Sequence, residues 1–409
     1  MQFITNLTAN ELDGFVYSQS YAHYMHASSF ANFKQAEEHC DIHYTALMDN
    51  GSIVATAIVL EYKEPLIGSY LYVPCGMCMD YSNLELLNEY ANHLIRFTKE
   101  KNAFALYIDP NVIHQEHTID GEIIEDGINN DSLTKYIESL GFKHRGYNYG
   151  YDGSKRNRFT LIIDIDKPYS DVLKNMPKNK QTLFRRQAKL AVEVKECGKE
   201  IASTLELFAK ELAEIQHFTP HTKEYFERLF DIYKGHCHGY QCSIDLKKQI
   251  AIYEEELSSN KYSSDLKAKA NVEKNLEKTK AYMEQYGETA ILQTAFYVTC
   301  NTTSYNLFNY NNKEIPLYRG CDIIHNYVLQ DMQSKGIKNY DMVGFSGSVD
   351  KSDIHYGLYE FKKSFGPTFI EHIGEFCYEV SPLRLKVSKG YKECKRLLNR
   401  VKQKISAQH

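Results

Sequence analysis

Residues 94–109 read LIRFTKEKNAFALYID, and residues 328–343 read VLQDMQSKGIKNYDMV. Both run from a helical pattern, through a short polar joint, into a strand-like stretch. Around the first, Leu84–Lys101 carries Leu87, Ala91, Leu94, Ile95 and Thr98 near helical spacing, which predicts a helix. Phe104–Ile108 then reads as a buried strand ending at Asp109-Pro110, and the strand-like Ser52–Tyr62 and Ser69–Val73 precede the helix. Around the second, Ala290–Cys300 and Thr303–Tyr310 look like paired strands. A helix over Asp322–Lys335 and a strand at Tyr340–Val343 follow. Strand pair, loop, helix, strand, twice in one chain, predicts two related α/β lobes, and a cleft between such lobes is a natural ligand site.

Between the repeats lies a different pattern. From Ser243 to Gly287 lysine and glutamate dominate and proline is absent. Leu246, Ile250, Tyr253 and Leu257 form one 4-3-4 stripe; Val272, Leu276, Thr279, Met283 and Tyr286 form another, with the polar run Ser258–Ser264 between them. Two helices folded into an antiparallel coiled-coil hairpin are expected, their stripes packed on each other.

At 409 residues, 43% hydrophobic and 25% charged, the composition is that of a globular protein with a substantial core. The start, MQFITNLTANELDGF, has neither a basic segment nor a long apolar run, and no stretch reaches the roughly 18 apolar residues of a membrane span. A cytoplasmic location is expected. The ten cysteines are too sparse for a disulfide scaffold. Cys75-Gly-Met-Cys78 and His236-Cys237-His238 with Cys242 lie far apart in the chain, so no metal site is assigned.

A net charge of −5 conceals two basic segments. Val172–Val192 has no acidic side chain but holds Lys174, Lys178, Lys180, Arg185, Arg186 and Lys189. From Arg384 to Lys404 a single Glu393 stands among nine basic residues. Together they suggest contact with polyanions, either RNA, phosphorylated ligands or an anionic membrane face; solvated helix faces are the plain alternative. Leu397, Leu398, Val401 and Ile405 lie along one side of the tail, an amphipathic pattern suited either to a bilayer or to packing on a lobe.

Five segments, in this order, resemble the FemABX family of peptidoglycan-bridge aminoacyltransferases, and in particular its arm-bearing FemA- and MurM/MurN-type members. They are Ser28–Lys34 (SSFANFK), Tyr72–Tyr81 (YVPCGMCMDY), the basic run with Arg185-Arg186, the helical hairpin, and GFSGSVDKSDIHYGLYEFKKSFG at 344–366, followed by Ile373–Phe376 (IGEF). The resemblance implies two GNAT-like acyltransferase lobes: residues 1–145, joined by 380–409, and 146–379, with the arm at 243–287 inserted in the second. It implies transfer of an amino acid from aminoacyl-tRNA to the stem-peptide lysine, or growing bridge, of a precursor such as lipid II, without a cofactor. Membrane contact would be peripheral, at the inner face of the plasma membrane.

Such a reaction needs two substrates held together, a proton removed from the attacking ammonium, and an oxyanion stabilised. Lys362, in YGLYEFKKSFG, matches a lysine associated with the family's active site. Its alternative is a lysine snorkelling over an aromatic core. Reading the segment as extended makes Lys363 the solvent-facing neighbour. Asp109 and Asp80 are rival carboxylates for base or orienting work, with turn residues as the alternative. By resemblance Lys34 grips precursor phosphates, and Tyr72, Tyr305, Tyr310, Tyr225 and Tyr356 line the substrate site. Lys178, Lys180, Arg185 and Arg186 are the candidates for tRNA or phosphate contact. Two departures weaken the expected diphosphate grip: Cys75 stands where the family's turn has arginine, and His221 where relatives place arginine four residues before a tyrosine.

Two rival functions stay open. The acceptor could be a protein amino terminus or a lipid headgroup, or the chain could be a non-catalytic scaffold binding tRNA or a partner through its arm. An acetyl-CoA enzyme is disfavoured, because no Q/RxxGxG/A pyrophosphate loop opens a helix.

Overall fold

The helix Leu84–Glu100 buries Leu86, Leu87, Tyr90, Ala91, Leu94 and Ile95 along one side, and Asn83 caps its start by accepting from the Leu86 N–H at 3.0 Å. It is the crossover between strands Gly68–Val73 and Ala105–Ile108, which pair in parallel with Tyr72 beside Tyr107 and Val73 beside Ile108. Parallel neighbours cannot be joined by a tight turn, so the helix is what makes this pairing possible.

The computed structural model describes residues 1–147, 149–151, 155–216, 218–259 and 265–406, with side chains described as far as residue 394. The chain forms two units: Met1–Thr160, Gly344–Tyr356 and Phe369–His409 in one, Leu161–Val343 and Gly357–Thr368 in the other.

In the first unit a sheet runs in the order Gln2–Ile4, Asp41–Asp49, Ser52–Glu64, Gly68–Val73, Ala105–Ile108, Phe376–Glu379, Lys143–His144. Alternation along the strands gives it two unlike faces. Val59, Leu71, Val73, Leu106 and Ile108 join the core that the Leu84–Glu100 helix covers. Tyr62, Tyr70, Tyr72 and Tyr107 fall on the opposite face, because Tyr62 pairs with Tyr70, Tyr72 lies two residues further on, and Tyr72 pairs with Tyr107.

The second unit repeats the order. Antiparallel strands Thr289–Cys300 and Thr303–Asn311 lead through the helix Gly320–Ser334 to Asn339–Phe345, whose start pairs in parallel with Thr303–Tyr305. Cys237–Asp245 and Val192–Cys197 extend the sheet beyond Thr289–Cys300. The strand pair, helix and following strand expected of each repeat are present, with boundaries within a few residues.

The helices Leu246–Ser258 and Leu266–Tyr286 are antiparallel, since the Leu246 N–H bonds the Glu288 carbonyl where the first begins and the second has just ended. Ile250, Tyr253 and Leu276 bury against one another with Leu257, Val272 and Met283 around them, and Lys280 pairs with Glu254 at 3.1 Å. Most of the expected turn, residues 260–264, lies outside the described residues.

One local expectation is corrected. YGLYEFKK is a helix, Tyr356–Lys363, not an extended segment. Successive side chains are therefore about 100° apart rather than on opposite faces, and Lys362 shares the buried side with Tyr359, one turn away. The turn after the helix reaches Gly366, whose φ of +69° suits glycine and whose Cβ position would lie 2.6 Å from the Asn175 carbonyl oxygen.

Candidate active site

The tyrosine face of the first sheet leads to Asp109, the residue immediately beyond the parallel pair. This carboxyl end of neighbouring parallel strands is where open α/β sheets place ligands. The Asp109 carboxylate is buried, accepts from Tyr72 Oη at 2.8 Å, and accepts from the Cys75 N–H at 2.6 Å. Burial pushes its pKa up to about 6; the nearby Arg156 guanidinium and the Tyr72 bond hold the rise in check, while Glu375 adds to it. A carboxyl group tuned to the neutral range is suited to take and return a proton.

Arg156 is the main residue that sequence reasoning missed. Its guanidinium donates to Asn111 Oδ1 at 2.9 Å and to Cys75 Sγ at 3.1 Å, bracing the turn after each parallel strand. A cation is thus supplied to the Cys75 turn from a distant loop, although the turn itself lacks one. Cys75 has φ +57° and Gly76 φ +70°, and a Cβ on Gly76 would fall 2.2 Å from Tyr81 Oη. His23 faces Cys75 Sγ at 3.2 Å, and His26 Nε2 bonds the Cys75 carbonyl at 3.2 Å. Burial takes His23 well below its usual range and His26 down to about 4, so both are neutral near pH 7. Beside this cluster a cavity of about 500 Å³ is lined by His26, Met77, Tyr81, Asn111, Val112 and Tyr136, among others.

The remaining first-unit candidates are dispersed. Asp80 lines the same cavity but is exposed, and its carboxylate accepts from the Ser82 N–H and hydroxyl at 2.9 and 2.7 Å, as a turn residue does. Lys34 pairs with Glu38 at 2.6 Å one helical turn away, and Glu38 also accepts from Tyr62 Oη, at the edge of the tyrosine face. Tyr356 opens the Tyr356–Lys363 helix and is half-buried.

In the second unit His221 stacks on Tyr225 at 3.7 Å, and both rings meet Phe308 edge-on. Tyr310 joins this group through Phe226 and Phe308, and burial raises its pKa to about 12. Tyr305 lies further along the same strand, paired with Asp341. Lys362 is only 7% exposed, and its ammonium donates to the carbonyls of Met342 at 2.6 Å and Val343 at 3.1 Å. This is not snorkelling, which would leave the charge in water. Burial lowers the Lys362 pKa to about 8, opposed by Asp341.

The basic run divides. Lys178, Arg185 and Arg186 are exposed on the helix Lys178–Gln187, whereas Lys180 on the same helix is buried, ion-paired with Asp322, with the Phe365 ring 3.9 Å away. Composition counts both kinds of lysine alike; only the helix face separates them. Of the basic tail, the side chains from residue 395 onward, including Leu397, Leu398, Val401 and Ile405, lie outside the described residues.

Two sheets, each built on a helix-crossed parallel strand pair, define an α/β protein with a tuned carboxylate at a strand end. The FemAB family model matches residues 7–393, and the chain belongs to that family. It is 23% identical to "Aminoacyltransferase FemA" of Staphylococcus aureus strains bovine RF122 / ET3-1 and N315, over 97% of this chain and 99% of theirs. Its fold is that of a crystal structure of FemX, at a TM-score of 0.79 and 24% identity over 95% of this chain and 100% of that one.

Removing Lys180 alone leaves Asp322 buried, with Arg319 still donating to it at 2.7 Å. Lys180→Met is expected to lower stability by about 3 kcal/mol, and Lys180→Met with Asp322→Leu by clearly less. Urea denaturation followed by circular dichroism measures the difference, and equal losses in both variants would contradict the assignment of a buried pair.

Proposed function

We propose that the protein moves an amino acid from aminoacyl-tRNA onto an amine of a peptidoglycan precursor, with Asp109 as the proton-transfer group. The acceptor in this reading is lipid II, at its stem-peptide lysine or the growing bridge. The observation that carries the reading is the buried Asp109 carboxylate at the end of the parallel pair, hydrogen-bonded by Tyr72 and titrating near neutral pH. Family membership and the aminoacyltransferase name of the FemA relatives support it.

The ester of a charged tRNA is already activated, so no covalent enzyme intermediate is required. Asp109 takes a proton from the acceptor ammonium, and the freed amine attacks the ester carbonyl. The tetrahedral intermediate collapses with cleavage of the bond to the ribose oxygen, which leaves as a hydroxyl on taking the proton held by Asp109, and the freed carboxylate takes the second proton from the adduct nitrogen to leave the neutral amide. Lys362, the other catalytic candidate, belongs to the second unit, where its ammonium is bound to two carbonyls. Lys178, Arg185 and Arg186 present their charges outward for the tRNA backbone. On the C-terminal helix Leu383, Val387 and Tyr391 are exposed at helical spacing with Lys386 and Lys389 among them, an arrangement suited to an anionic bilayer where a lipid-linked acceptor resides. No described helix is long and apolar enough to cross a membrane.

Lipid II incubated with a panel of charged tRNAs should gain the mass of one amino acid. Gain on a phospholipid headgroup or a protein amino terminus instead would move the acceptor, and no gain with any charged tRNA would refute the reading. A base must be ionised to act, so kcat/KM should rise with pH through about 6 and level off above. Asp109→Asn should lower it by about 10²- to 10⁴-fold and abolish that limb.

Replacing Arg185 and Arg186 together by glutamate should raise KM for charged tRNA, reduce its salt dependence and spare kcat. An unchanged KM would remove this helix from the tRNA contact.

The wild type should co-sediment with vesicles containing phosphatidylglycerol but not with neutral ones. Leu383→Glu with Val387→Glu should release it; retention would assign the stripe another role.

A further inference from the structure

The tyrosine face forms a box that already holds an ammonium group. Lys155 Nζ lies 5.3 Å from the ring centre of Tyr62, 4.6 Å from Tyr70, 4.8 Å from Tyr72 and 5.4 Å from Tyr107. Each distance is within the range of a cation–π contact, and several rings around one ammonium form an aromatic cage. The walls belong to the fold itself. Tyr62 faces Tyr70 and Tyr72 faces Tyr107 by strand register, and Tyr70, Tyr72 and Tyr107 are buried. Tyr62 is fixed to Glu38 by its hydroxyl, and Tyr72 to Asp109.

The occupant is held differently. Lys155 belongs to no helix or strand, and its backbone N–H donates to Glu375 at 3.2 Å. Among the described residues its ammonium makes no ion pair, and its hydrogen bond is a 3.5 Å contact to Tyr70 Oη. Glu375, Asp109 and Glu38 favour a cation at this position, while Lys392, 4.2 Å from the Tyr70 ring centre, opposes it. Burial and Lys392 bring the Lys155 pKa down to about 8, so neutralising this lysine near physiological pH is easier than for an ordinary one. A fixed box with carboxylates near it, filled by a loosely bonded lysine, has the form of a site with a replaceable resident.

We propose that the box formed by Tyr62, Tyr70, Tyr72 and Tyr107 is a subsite for the primary alkylammonium of the acceptor, and that Lys155 occupies it in the acceptor's absence and is displaced on binding. The inference rests on the reading that transfer takes place at Asp109. Tyr72 connects the two, since its ring walls the box and its hydroxyl bonds the base. An ammonium entering the box thus arrives beside the group that takes its proton. A lysine side chain fits, because its apolar stem suits the rings and its charge the nearby carboxylates. The resident lysine makes binding conditional, since an acceptor gains access only in the fraction of molecules whose box is free.

The test is calorimetric titration of the full chain, without tRNA, using Nα-acetyl-lysine methylamide as the probe and Nα-acetyl-norleucine methylamide as the uncharged control. Lys155→Gln empties the box and should bind the lysine probe at least tenfold more tightly than the wild type, with no gain for norleucine. Lys155→Arg keeps the box filled by a cation and should bind no better than the wild type. Adding Tyr70→Leu to Lys155→Gln should remove the gain, with circular dichroism confirming that the double variant is folded. No gain in Lys155→Gln, equal gain for norleucine, or a gain that survives Tyr70→Leu would overturn the proposal. The titration involves no transfer, so a null result here leaves the Asp109 pH profile standing, and loss of the Asp109 assignment leaves box occupancy measurable.

Discussion

The parallel pairing of Gly68–Val73 with Ala105–Ile108 governs the first unit. Its register sets Tyr72 beside Tyr107 and delivers Asp109 to the strand end, within reach of the Tyr72 hydroxyl. A slip of one residue would exchange the faces, sending Leu106 and Ile108 to the site and the tyrosines into the core. The register is held by Leu71, Val73, Leu106 and Ile108 on the covered face, so the hydrophobic core decides where the polar chemistry lies. Burying Asp109 is costly, and the cost is offset by one backbone donor, one phenol and the charge of Arg156. The balance leaves a carboxyl group near neutrality rather than a fully stabilised anion.

The fold was largely legible because its determinants are local. Apolar spacing in Leu84–Glu100 and β-branched runs such as Ser52–Glu64 specify their own structure, and the repeated order exposed the two similar units. Asp109 was legible as the residue ending a buried strand. Arg156 and Lys155 were not, because a basic residue in an irregular stretch has no periodicity, and both act on side chains 45 to 85 positions away. The one available signal was the family turn without its arginine, which implies a cation supplied from elsewhere without saying where. Lys180 shows the converse. Its charge suggested a surface, and the burial of Asp322, which pairs with it, could not be read from a run of basic residues.

The lysine of YGLYEFKKSFG combines both situations. The segment mixes aromatic and basic residues because it is a helix with one buried side, and Lys362 is on that side with Tyr359. Its ammonium avoids an unpaired charge by bonding two successive carbonyls within Asn339–Phe345, just past the parallel-paired residues. The second of these belongs to Val343, a β-branched residue at φ +55°, a conformation that costs such residues about 1–3 kcal/mol. The Val343 N–H is in turn bonded to Asp341 at 2.7 Å. The strained residue is therefore held from both sides, by a cation on its carbonyl and a carboxylate on its N–H.

The first unit contains a similar arrangement. Cys75, at φ +57°, gives its N–H to Asp109 while its carbonyl bonds His26. In each unit a left-handed, non-glycine residue lies two positions past the last parallel-paired residue of its strand, with an aspartate on its N–H. The partner on the carbonyl differs: in the first unit it is a neutral histidine, in the second a lysine. Strain of this kind persists only where surrounding contacts over-determine it, and here the contacts are polar groups that a wholly apolar strand end would not need. The repeat thus extends beyond the order of helices and strands to the strained strand ends. The two units have come to different chemistry there, with a tunable carboxylate flanked by an arginine in one and a buried cation fixed on carbonyls in the other.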